Sequence, residues 1–196
     1  MFESIKALFR KAEPEQPRPP PTPEETTKAQ NFMRLVLQTM DEGYETKQVP
    51  WEWIIGYVDR PSRWLQMAYD LDPHATVKDS DGFERTQDDI AGELLYNKGN
   101  MHELAGRAIQ RAAIPITANM AQVRFEQRSQ QDRADKEYTQ AYIAAIQAVR
   151  FQPHSRKYLR LLYTTSSAVG DTKRAAATLK TLMEMDPTDL ETLALL

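Results

Sequence analysis

The side chains able to do chemistry are few and dispersed. Three histidines, His74, His102 and His154, stand far apart, with no metal-ligand spacing. The chain has no cysteine, which removes disulfides, thiolate nucleophiles and zinc–thiolate sites and fits a reducing compartment. Its seven glycines form no phosphate loop, dinucleotide fingerprint or nucleophile elbow. Asp79-Ser80-Asp81-Gly82 has part of the spacing of a calcium loop. Val77 falls at the first ligand position, however, so a plain Asp-Gly turn is expected. Asp88-Asp89 falls at a helix start, where carboxylates favour the helix dipole. No catalytic residue, cofactor site or metal site is expected, and the chain reads as a binding protein and not an enzyme.

The bulk properties point the same way. The chain has 196 residues, 41% hydrophobic and 27% charged, as in soluble globular proteins. A formal net charge of -3 gives no global attraction to nucleic acid or an anionic membrane. No run approaches the roughly 20 apolar residues that a spanning helix needs. The N-terminal stretch is broken by Lys6, Arg10 and Lys11 and has no small-residue cleavage site, so a secretory signal is not expected there. The expected location is cytoplasmic.

The elements that must position any binding surface are helices. Residues 1–12 read as an amphipathic helix with Phe2, Ile5, Leu8 and Phe9 on one face. Residues 13–25 are a proline-rich linker, since proline lacks the helix donor and clashes with the preceding turn. Residues 26–73 read as an N-terminal helical capping region, with a helix at 27–42 and another ending at Asp72-Pro73. Trp51, Trp53 and Trp64 are expected to fill the core between this region and the later helices. Residues 74–85 read as a polar loop. From 86 to 196 helix succeeds helix, at 86–97, 101–113, 117–130, 134–151, 155–168 and 172–185, with a further one beginning near Thr188. The fold class is therefore all-α.

Pro153 and Pro187 each close a matching pattern. One run is Ala141, Ala145, Ala148, Pro153; the other is Ala175, Leu179, Leu182, Pro187. Residues 155–187, with Gly170-Asp171 at the turn and Ala175 early in the second helix, resemble a tetratricopeptide repeat. The interval from Pro153 to Pro187 is the length of one such helix pair, roughly 34 residues. Residues 122–153 keep the pattern without a glycine turn. Residues 85–116 keep it with Gly99-Asn100 at the expected turn, Arg111 where a small residue belongs and Ile116 in place of the proline. The resemblance implies antiparallel helix pairs stacked as a short solenoid, because one pair cannot bury its apolar face alone.

The resemblance also implies a concave face lined by the first helix of each pair. On it would stand Lys157, Arg160, Thr164 and Ser167, then Glu126, Gln130 and Arg133, then Asp89, Glu93 and Tyr96. Such a groove runs from acidic to basic and suits an acidic segment or a C-terminal carboxylate. The lysine–asparagine clamp of some members is absent, since Asp89 and Glu126 stand where cations are needed. The function so implied is a non-catalytic adaptor or scaffold that recruits a protein partner through this face, through the N-terminal helix, or through both.

Other readings stay open. The N-terminal helix has three destinations: a partner groove, its own body, or, less favoured, a membrane surface. A structural subunit of a larger assembly is the alternative function, with self-association through the C-terminal helix, where Leu193, Leu195 and Leu196 face outward. A nucleic-acid regulator acting through Arg124, Arg128, Arg133, Arg150, Arg156, Lys157 and Arg160 is disfavoured by the net acidity.

Overall fold

The computed structural model describes residues 19–45, 51–114 and 120–195, and the side chains of all of these except 42–45 and 51–59. The N-terminal helix with Phe2, Ile5, Leu8 and Phe9 lies outside the described residues, as do most of the linker and the side chains of Trp51 and Trp53. The chain forms two units: Met1–Lys47 with Asp59–Ile90, and Gln48–Val58 with Ala91–Leu196.

In the first unit, α1 spans Pro23–Glu45. It starts four residues before the position expected from the apolar stripe, and a capping box explains why. Glu25 Oε2 accepts from the Thr22 backbone N–H at 2.7 Å, and Thr22 Oγ1 accepts from the Glu25 N–H at 3.3 Å. Pro23 fits the first turn, where its missing N–H costs nothing. The Thr22 N–H also holds the Glu25 carboxyl below its ordinary range. One face of α1 buries Ala29, Met33, Val36 and Met40, at spacings of four, three and four.

Helix α2 spans Trp51–Leu71 and contains a fully buried Pro61. It stops before Asp72-Pro73. Asp72 is itself buried and serves as a junction. Its carboxylate accepts from Thr26 Oγ1 at 2.7 Å and the His74 N–H at 3.0 Å, and its carbonyl accepts from Gln87 Nε2. Residues 74–85, expected as loop alone, include an antiparallel hairpin: β1, Thr76–Lys78, pairs with β2, Glu84–Thr86, Val77 lying opposite Arg85. Three-residue strands are too short to show as alternation in the sequence. The expected Asp-Gly turn closes the hairpin. Asp79 Oδ1 accepts from the N–H groups of Asp81 and Phe83, Arg85 donates to Asp79 Oδ2, and Gly82 sits at φ +85°.

Helix α3, Gln87–Arg111, begins with Thr86 and Asp89 capping each other. It is one continuous 25-residue helix where two helices and a Gly99-Asn100 turn were expected. Gly99 is not a turn residue. Within the second unit Gly92, Gly99 and Gly106, seven residues apart, lie where other elements come closest. A Cβ at Gly99 would stand 2.7 Å from Leu161 Cδ2, and one at Gly106 would stand 3.0 Å from the Tyr138 ring. These glycines are for close helix approach.

Helix α4, Met120–Phe151, is likewise one 32-residue helix where 117–130 and 134–151 were expected to be separate. The reason is local. Lys136 stands one full repeat before Gly170, at the position equivalent to it, so the left-handed stop is missing and the helix runs on. Helices α5, Arg156–Ala168, and α6, Thr172–Met185, match expectation, and α7, Leu190–Leu193, comes after them. Between α5 and α6 the Asp171 N–H donates to Ser166 O and the Gly170 N–H to Ser167 O, a Schellman stop with Gly170 at φ +78°. Ala145, Leu161 and Leu162 form a core cluster flanked by Tyr96, Tyr142, Ile146 and Val149.

The interval between the two prolines recurs in backbone geometry. The Ser155 N–H donates to Gln152 O at 3.1 Å, and one interval later the Asp189 N–H donates to Asp186 O at 3.3 Å. Ser155 and Asp189 are then the N-caps of α5 and α7.

Candidate functional site

Helices α3 and α5 approach each other at two glycines of α3. Gly92 meets Tyr158, and Gly99, two turns on, meets Leu161. Tyr96 stacks on Tyr158 with ring centroids 5.2 Å apart. Lys157 Nζ lies 5.2 Å from the Tyr96 ring centre and 5.3 Å from that of Tyr158, and donates to Glu93 Oε1 at 3.3 Å. Glu93, Tyr96 and Lys157 of the expected groove are therefore brought together, with the lysine already holding a carboxylate and two ring faces.

Arg160, one turn further along α5, binds the carboxylates of Asp189 and Glu191 at the start of α7. Its Nε is enclosed without a partner among the described residues. Thr192 Oγ1 and Arg160 both donate to Asp189, which pulls that carboxyl down to about 2. Arg160, expected at the basic end of the groove, is offset by two acids of its own chain. Thr164 Oγ1 bonds back to Arg160 O, and Ser167 is exposed.

The residues expected from the middle unit are not brought to this face by any contact described. Gln130 Nε2 donates to the carbonyls of Ile109 and Ala112, closing the C-terminal end of α3. Glu126 accepts from Gln122 through one oxygen, and its other oxygen is enclosed without a partner among the described residues. Arg133 is exposed. Asp89 caps α3.

The sequence reading missed a polar seam between α3 and α4. His102 Nδ1 lies 2.7 Å from Glu137 Oε2, with the two side chains 13% and 9% exposed. Tyr138 OH donates to Gln110 across the same seam, while Glu103 binds Arg107 within α3. Burial, then the charge of Glu103, raises the Tyr138 hydroxyl. These residues stand on two helices that run antiparallel, and a sequence read as four short helices cannot pair them.

No helix among the described residues is long and apolar enough to cross a membrane. No known protein family, curated protein or solved structure matches the chain.

Proposed function

We propose that this chain is a non-catalytic adaptor or scaffold of the helical-repeat type, which recruits a protein partner along the face shared by α3 and α5. The observation that carries the reading is the recurrence, one repeat length apart, of the same turn and helix start after Gln152 and after Asp186. A unit that repeats in sequence and in backbone hydrogen bonding is the signature of stacked helix pairs, whose first helices offer an extended binding surface. On this reading the middle repeat lies within the single helix α4, and the array is short.

On this reading Thr164 and Ser167 are the contact positions, because their outer surfaces stay accessible while Lys157 and Arg160 are held by Glu93 and by Asp189 and Glu191. The test is affinity capture of the intact chain from its native cell, beside Thr164→Arg and Ser167→Arg. Loss of the same co-purifying proteins from both variants, with unchanged thermal unfolding, is expected. Identical captured sets from all three proteins would remove α5 as the binding face.

A further inference from the structure

Helix α4 outruns its partner. Moving along the α3–α4 pair, Gly99 meets Ala141 and Ala144, His102 meets Glu137, Gly106 meets Tyr138, and Gln130 reaches the last carbonyls of α3. Residues 120–129 of α4 therefore lie beyond the end of α3 at Arg111, an overhang of ~15 Å at 1.5 Å per residue.

The half-buried positions of this segment are Val123, Glu126 and Gln130, which share one side of the helix. The opposite side carries Arg124, Phe125 and Arg128, all exposed. Phe125 is 74% exposed and Met120, at the edge of the same side, is 64%. Arg111, Arg124 and Arg128 make no hydrogen bond or ion pair with a described residue. Five of the six cations of α5 and α6 contrast with them: Arg156, Lys157, Arg160, Arg174 and Lys180 each hold a carboxylate.

The local charge is opposite to that of the whole chain. Residues 103–135 contain five arginines, no lysine and four carboxylates, a net +1 in a chain whose total is -3. Arginine, phenylalanine and methionine are enriched at protein interfaces, and lysine is depleted there. A phosphate backbone would be served as well by lysine.

We propose that the overhanging start of α4 is a docking surface for an acidic amphipathic helix of a partner protein. The partner's apolar stripe packs on Phe125, and its glutamates or aspartates pair with Arg124 and Arg128. This goes beyond the α3–α5 face and does not rest on it.

The test uses the full chain and defined probes: a 20-residue model helix with a leucine stripe flanked by glutamates, its glutamine counterpart, a thirty-base oligothymidine, and phosphatidylserine vesicles. Binding is read by fluorescence anisotropy at low and high salt, and by co-sedimentation for the vesicles. The glutamate helix is expected to bind saturably and to weaken with salt. Phe125→Ala and the pair Arg124→Glu/Arg128→Glu are each expected to weaken it at least tenfold, while Thr164→Arg leaves it unchanged. All these positions are exposed or half-buried, and circular dichroism of each variant confirms its fold. Equal binding of the glutamine helix, or wild-type binding by both overhang variants, overturns the proposal. So does binding of the oligonucleotide or vesicles in place of the peptide.

Discussion

Replacing Gly99 by alanine sets two effects against each other. In a helix interior alanine is better than glycine by about 1 kcal/mol. The new methyl carbon, however, would stand 2.7 Å from Leu161 Cδ2, 3.4 Å from Ala141 O and 3.6 Å from Ala144 Cβ. Carbon atoms pack at about 3.5–4.0 Å. Leu161 is only 6% exposed and sits in the cluster with Ala145 and Leu162, so it has little room to retreat. Overpacking of this kind costs about 1–3 kcal/mol. The net expectation is a destabilisation of up to about 2 kcal/mol, despite the better helix former. Leu161→Ala alone should cost about 2–5 kcal/mol. In that background the methyl group has space, and Gly99→Ala should become stabilising by about 1 kcal/mol. Urea unfolding of the four proteins, followed by circular dichroism, closes the double-mutant cycle with a coupling of about 1–3 kcal/mol, the overpacking cost itself. A Gly99→Ala effect that is stabilising and the same in both backgrounds would refute the close approach of α3 and α5. A destabilisation of equal size in both would point to a turn at Gly99-Asn100.

Other substitutions probe the remaining structural claims. Gly170→Ala meets nothing within 4 Å, so its cost is that of the left-handed backbone alone, about 1–2 kcal/mol, visible as a lower thermal midpoint, and Gly170→Asn should cost less. Asp189 has its carboxyl lowered to about 2 from 3.8 by Thr192 and Arg160. Its contribution is therefore present above about pH 4 and is lost as the pH falls toward 2. Arg160→Leu should move the Asp189 midpoint, followed by carboxyl NMR, upward toward the ordinary value, and an unmoved midpoint would refute the pairing. Thr22→Ala removes one half of the capping box and should cost about 1 kcal/mol of local stability, read as faster amide exchange in the first turns of α1.

Much of the helical architecture was legible in the residues. The stripe expected at Phe32, Leu35, Val36 and Met40 places the helix, but the buried face is Ala29, Met33, Val36 and Met40, with Leu35 exposed; Gly170-Asp171 forms the turn it implies. Sequence and structure part where one local signal has two physical meanings. A glycine marks a helix stop when it takes a left-handed φ, as Gly170 does, and a close approach when it does not, as at Gly99. Lysine and arginine on an outer helix face read as free cations, yet Lys157 and Arg160 are neutralised by Glu93 and by Asp189 and Glu191, distant in the chain. Arg111, Arg124 and Arg128, on the hairpin of α3 and α4, keep charges unmatched within the described residues.

The sequence by itself determined what depends on short range: helical periodicity, the Gly170-Asp171 turn, the stops before Pro153 and Pro187, and the period that relates the last two. The tertiary structure decided which glycines turn the chain and which admit a neighbour, that four expected helices are two, and which cations are spent. These outcomes turn on which side chains meet across space, as Leu161 meets Gly99 and Glu137 meets His102, and no spacing along the chain carries that information.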